Sequence, residues 1–193
     1  MKDFPKELVD CINTINNYYK KYNINNYYFN AVVSKLKYTT NFNLDKYGMY
    51  DGYNNKMTIN PNMPDDGKKV ISHELLHIAG GFSNHRGFNE FSTQYFNSVI
   101  FGAKKGHFEK SDFKMIDKLV KKTNFDFFFK CYLLRNFDLF IDELLKHYDF
   151  DTAHSLINIL DKYYSWYTNL ESRSGLDKNK LEKEFNKLIK KTK

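Results

Sequence analysis

His73-Glu74-Leu75-Leu76-His77, followed after a short turn by Gly87-Phe88-Asn89-Glu90-Phe91-Ser92-Thr93, is the stretch that decides how the chain folds. His73 and His77 are four residues apart, so on a helix both side chains leave the same face, one turn apart. Two imidazoles at that spacing can share one tetrahedral metal ion. Glu74 lies one step round that face, where a general base for a water at the metal's open position has to stand. The surroundings predict the helix. Pro64-Asp65-Asp66 suits a helix start, with Asp65 as a capping residue. Ile71, Leu75 and Ile78 fall at i, i+4 and i+7, away from the histidines, and Gly80-Gly81 offers a C-terminal stop.

A catalytic zinc site takes three protein ligands and leaves a fourth position to water. A pattern with a third histidine six residues after His77 is excluded, because position 83 is Ser. His85 and Glu90 are the two candidates. Glu90 opens a second helix, read from about Phe88 to Phe101 and stopped by Gly102. Thr93, Gln94 and Asn97 share its face and can supply the hydroxyl and amide neighbours that hold a ligating carboxylate. His85 lies in the turn, as a reserve ligand or a substrate contact at the rim.

H-E-L-L-H followed by G-F-N-E-x-x-T resembles the gluzincin metallopeptidases, small bacterial members in particular. Gly87, Asn89, Glu90, Thr93 and Gln94 carry the second half of that resemblance, which spans roughly residues 47–97. Phe91 stands where the family often has glycine. The interval from His77 to Glu90 is shorter than in thermolysin-like members. The resemblance implies a zinc ion held by His73, His77 and Glu90, with Thr93 supporting the site. It implies Glu74 as the base that activates a zinc-bound water for peptide-bond hydrolysis, and a protein or peptide as substrate. It also implies an oxyanion donor from downstream, for which His107, His147, Tyr148 and His154 are the candidates.

Outward from the motif, residues 47–51 and 56–60 flank Gly52-Tyr53-Asn54-Asn55 and read as a hairpin, since Asn and Gly supply the turn. By the same resemblance, Met57, Thr58, Ile59 and Asn60 form an edge strand that binds substrate main chain by strand addition. Residues 3–22 read as a helix capped by Asp3 and striped by Leu8, Ile12, Ile15 and Tyr19. Phe29, Ala31 and Val33 alternate like a strand while Val32, Val33 and Leu36 also fit a helix; between the two, 27–38 is read as a strand. Beyond Gly106 the pattern is helical. Met115, Leu119 and Val120 mark one helix. Phe127 to Leu145 gives one or two more, broken near Arg135-Asn136. Asp151-Thr152 opens the next, with Leu156, Ile159, Leu160, Tyr163 and Tyr167 in array. After Gly175, Asp177 starts a last helix. The expected fold is α+β and zincin-like. A small antiparallel or mixed sheet with an edge hairpin packs on the H-E-x-x-H helix, and an all-helical C-terminal half follows. The expected division is a catalytic core over 1–102 and a helical subdomain over 103–193.

At 193 residues, 41% hydrophobic and 18% aromatic, the chain has ample material for a core. The net charge of +7 admits an anionic partner. The lysines are spread out, however, with no base-stacking or groove-reading motif beside them, so they read as a solvated surface and no nucleic-acid partner is expected. Cys11 and Cys131 are too few for a disulfide framework and read as buried thiols. No apolar h-region and no membrane-length run occur, so a cytoplasmic protein without a membrane span is expected. Two other readings stand beside the peptidase: a zincin-fold module that binds zinc without turnover, and a basic helical nucleic-acid binder. The presence of Glu74 ranks the peptidase first, because a structural zinc site needs no base.

Overall fold

The computed structural model describes residues 4–62, 67–82, 84–103, 110–168 and 177–192; of residues 67, 68, 110–112 and 166–168 it describes only the backbone. The caps read at Asp3 and Asp65, together with Pro64, His107 and Gly175, lie outside the described residues, as does the side chain of Tyr167. Among those described there are nine α-helices and one three-stranded mixed sheet, so the chain is α+β and mostly helical. No described helix is long and apolar enough to cross a membrane. The chain divides into two compact units, residues 1–80 with 97–104, and residues 81–96 with 105–193.

In the first unit, α1 (Lys6–Lys21) buries Leu8, Cys11, Ile15 and Tyr19, one stripe at helical spacing. It ends at Asn23, whose φ of 52° lets the amides of Asn23 and Ile24 reach back to Lys20 and Tyr19. Asn tolerates that left-handed conformation, and the paired bonds satisfy carbonyls the helix leaves open. The strand expected over 27–38 is corrected. Tyr27–Ser34 is α2, and only Lys37–Thr40 is a strand, β1. Phe29 and Val33 are the buried pair of α2, and their i, i+4 spacing is a helix period that the apparent alternation masked.

The hairpin forms as read, from β2 (Gly48–Asp51) and β3 (Lys56–Ile59), antiparallel with Tyr50 opposite Met57. Asp51 Oδ1 accepts the amides of Tyr53 and Asn54, and Asn55 takes a φ of 47° to close the turn. The position of β3 is a second correction. The strand order is β1-β3-β2, and β3 also pairs in parallel with β1, so it is the central strand and not an edge. Both of its ladders are filled, and Met57, Thr58, Ile59 and Asn60 are all buried. Successive buried residues mark a strand covered on both faces. These four residues therefore have no open edge on which to add a substrate strand.

In the second unit, α5 (Lys110–Thr123), α6 (Phe125–Leu133), α7 (Phe137–Leu145), α8 (Phe150–Thr168) and α9 (Lys178–Leu188) follow one another. The break expected near Arg135-Asn136 is a tight helix end. Arg135 has φ 54°, its amide bonds Tyr132 O, and that of Asn136 bonds Cys131 O. Asn136 then caps α7 through the amide of Leu139. The cap of α8 is Asp149, two residues before the start read from sequence, and it takes the amide of Thr152 at 2.7 Å. Asp177 caps α9 as expected. The core of this unit is aromatic. Phe96 lies 4.5 Å from Phe129 and 4.9 Å from Tyr132 between ring centroids, and Phe128 lies 4.8 Å from Phe140. Offset and edge-on rings at such distances add to their burial. Cys11 and Cys131 are both buried, and neither is in a disulfide.

Candidate metal centre

The motif helix is α3, Gly67–Ala79. Ile71, Leu75 and Ile78 are buried as their spacing requires, while His73, Glu74 and His77 are half-buried on the other side. Its last turn is anchored by Tyr19 of α1, whose hydroxyl donates to Ala79 O at 2.5 Å. The Glu90 helix is α4, Arg86–Phe101, two residues longer at its start than the sequence indicates. Asn97 fastens α4 to α3 directly. Its amide donates to Lys69 O at 2.8 Å, and its oxygen accepts from Ser72 Oγ at 2.5 Å. Asn97 lies seven residues beyond Glu90, two turns along the same face, and Ser72 precedes His73. One buried amide thus joins the C-terminal part of α4 to α3.

The ligand atoms of His73, His77 and Glu90 all lie within 4.8 Å of one another. His73 Nε2 and His77 Nε2 are 3.1 Å apart, with their rings nearly perpendicular. Nitrogens brought this close share either a proton or a cation. His73 and His77 would hold a cation through their facing Nε2 atoms. Two imidazoles and one carboxylate are a donor set that suits a divalent cation of borderline softness. Among the described residues this is the one such group.

Glu74 is not in that group. Its Oε2 accepts the main-chain N–H of Tyr50, at 3.0 Å, from β2. Gly48 makes this approach possible. A Cβ there would lie 2.5 Å from Val70 Cγ1 and 3.6 Å from Glu74 Cγ, so a side chain would push β2 off α3. This tie between the hairpin and Glu74 was not foreseen from sequence; the glycine at position 48 was the signal.

The G-F-N-E segment builds the turn between the helices. Gly81 has φ +131°, a conformation open to glycine, and its amide bonds Tyr132 O at 3.0 Å. Asn89 Oδ1 accepts the amide of Phe82 at 2.9 Å and closes the turn from inside. Phe88 is fully buried and stacks on Phe82 at 5.1 Å. Thr93 is buried, bonding Asn89 O and the Tyr132 hydroxyl at 2.8 and 2.7 Å. These bonds tie it to α4 and α6. His85 stands outside the ligand group: its Nδ1 meets Asp161 Oδ2 at 2.8 Å, and its ring lies 4.2 Å from that of Phe137. Of the downstream donor candidates, Tyr148 is fully buried with its hydroxyl committed to Ile189 O, and His154 packs 4.2 Å from the Phe150 ring.

Gly87 is where α8 comes closest to α4. A Cβ there would meet Asp161 Cα at 2.6 Å, Tyr164 Cβ at 2.7 Å and Leu160 O at 2.9 Å. Two of these are backbone atoms that cannot rotate away. Gly87→Ala is therefore expected to destabilise the fold by about 1–3 kcal/mol, read as a lower urea midpoint at unchanged m-value. An unchanged midpoint would mean that the helices separate at no cost.

No protein-family model, curated protein or solved structure matches the chain. The chemistry of the site therefore rests on its own residues.

Proposed function

We propose that the chain is a zinc-dependent metallopeptidase with a zincin-like arrangement, probed best as an endopeptidase. The observation that carries this reading is the gathering of His73, His77 and Glu90 around one point, with Glu74 beside His73 but outside the group. Glu74 bonds the Tyr50 amide of β2, and the base role is what it would add at a metal site. When bound, zinc supplies Lewis acidity that polarises a carbonyl and acidifies water. His73, His77 and Glu90 would hold the ion, and Glu74 would hold the proton taken from the attacking water and release it to the leaving amine. Substrate main chain is assigned to β2 in place of β3. Among the described residues, β2 pairs with a strand on one side only, and its Tyr50 amide points at Glu74. A shallow groove of about 260 Å³ beside Tyr50, walled by Tyr28, Ala31, Val32 and Lys35, is open to an apolar side chain.

The test is metal analysis together with cleavage of a broad peptide library. About one zinc per chain is expected, with hydrolysis that a chelator abolishes and added zinc restores. Absence of divalent metal from carefully prepared protein overturns the reading. One observation favours a second reading, a module that binds zinc without turnover: the Glu74 carboxylate is already engaged by the Tyr50 amide. Stoichiometric zinc with no cleavage of any library member would select it.

A further inference from the structure

The first turn of α4 has no Ser, Thr, Asp or Asn at the flanking position to receive its open amides; that residue is His85. The acceptor comes from α8, more than seventy residues later. Asp161 Oδ1 takes the amide of Phe88 at 2.9 Å, while Oδ2 meets His85 Nδ1 at 2.8 Å. A carboxylate at this end of a helix is favoured by the dipole as well as by the bonds. The backbone of α8 is pressed against Gly87 in the same turn. Glu90 follows Arg86 by four residues and stands directly above that turn. One turn along α8, Tyr164 packs against Phe91 and stands close to the Arg86 guanidinium.

We infer that Asp161 is a positioning residue for the metal centre: by capping the first turn of α4 and holding His85, it sets the height and direction of Glu90. This rests on the reading of Glu90 as a metal ligand. A ligand must be held to within about 0.5 Å by the residues that support it. The sequence gap between Asp161 and the motif explains why no local pattern announces it.

The experiment measures zinc affinity by chelator competition for wild type, Asp161→Ala, Asp161→Asn, Glu90→Ala and the Asp161→Ala/Glu90→Ala double variant. Asp161→Ala is expected to weaken zinc binding by about ten- to a hundred-fold, the range seen when a ligand's support is removed. Asparagine is as good a cap as aspartate, so Asp161→Asn is expected to stay within about threefold of wild type. Because Asp161 acts through Glu90, its loss in the Glu90→Ala background is expected to change affinity by less than about twofold. If Asp161→Ala does not fold, Asp161→Glu carries the test. Its extra methylene moves the cap, and affinity is expected to fall by about fivefold or more. Wild-type affinity in a variant whose melting temperature has dropped would overturn the inference and leave the metal reading intact. So would an equal loss in both backgrounds. Failure of wild type to bind zinc would remove the metal reading itself.

Discussion

Glu74→Gln is expected to abolish turnover while leaving zinc in place. Glutamine has the shape of glutamate and keeps a side-chain oxygen to accept the Tyr50 amide, so the bond between β2 and α3 survives. The ability to take up a proton does not survive. General base catalysis contributes about a hundred- to ten-thousand-fold, so kcat should fall by that factor with one zinc still bound per chain. Stability should be nearly unchanged, because the substitution leaves no buried group without a partner. The comparison with Glu74→Ala is informative. Alanine removes the acceptor and frees the Tyr50 amide, so it should also lower stability, by about 1 kcal/mol. If Glu74→Gln hydrolyses peptide at the wild-type rate, Glu74 is not the base. If it loses its zinc, the carboxylate belongs to the ligand set and the division of roles among the acidic residues is wrong.

The pieces legible in the sequence were those set by short-range periodicity and turn chemistry. The histidine spacing on α3, the hairpin around Gly52 to Asn55, the end of α4 at Gly102 and the cap at Asp177 each depend on residues within a few positions. The misread pieces depend on partners far along the chain. Whether β3 is an edge or a centre is decided by β1, nineteen residues before it in register, and no local pattern reports that pairing. The stretch 27–38 holds a helix and a strand in succession. Phe29 and Val33 satisfy either period, and packing chose between them. His85 was open as a ligand on sequence grounds. Asp161, seventy-six residues later, gave it a different partner.

The G-F-N-E segment shows how closely support and chemistry overlap. Gly87 admits α8, Phe88 enters the aromatic core, and Asn89 closes the turn from Phe82. These residues look like a functional motif because their chemistry is restrictive, yet each has a structural reason to be what it is. Glu90 is the member of the segment that lies in a group able to hold a metal ion. The site is held at three points that the motif does not contain: Tyr19 at the end of α3, Asn97 with Ser72 between α3 and α4, and Asp161 at the start of α4. The histidine pair alone fixes only its own helix.

Glu90→Ala is the substitution that separates a metal centre from a pair of neighbouring histidines. Apparent zinc binding free energies of about 10–16 kcal/mol shared among four ligands correspond to roughly 2.5–4 kcal/mol each. Loss of one ligand is then expected to weaken zinc binding by about a hundred- to a thousand-fold. The remaining imidazoles, 3.1 Å apart, would still bind zinc weakly and without the same geometry. Hydrolysis at limiting zinc should disappear with the metal, and excess zinc should restore only a small part. The fold should hold, since Glu90 is half-buried and α4 is anchored at both ends by Asp161 and Asn97. Two measurements decide the matter: zinc content after dialysis, and the cobalt-substituted absorption spectrum, whose intensity reports four-coordination. Retention of one tightly bound zinc with an unaltered cobalt spectrum would exclude Glu90 as a ligand. The third donor would then have to come from elsewhere, with His85 the next to replace, and that would require it to leave Asp161.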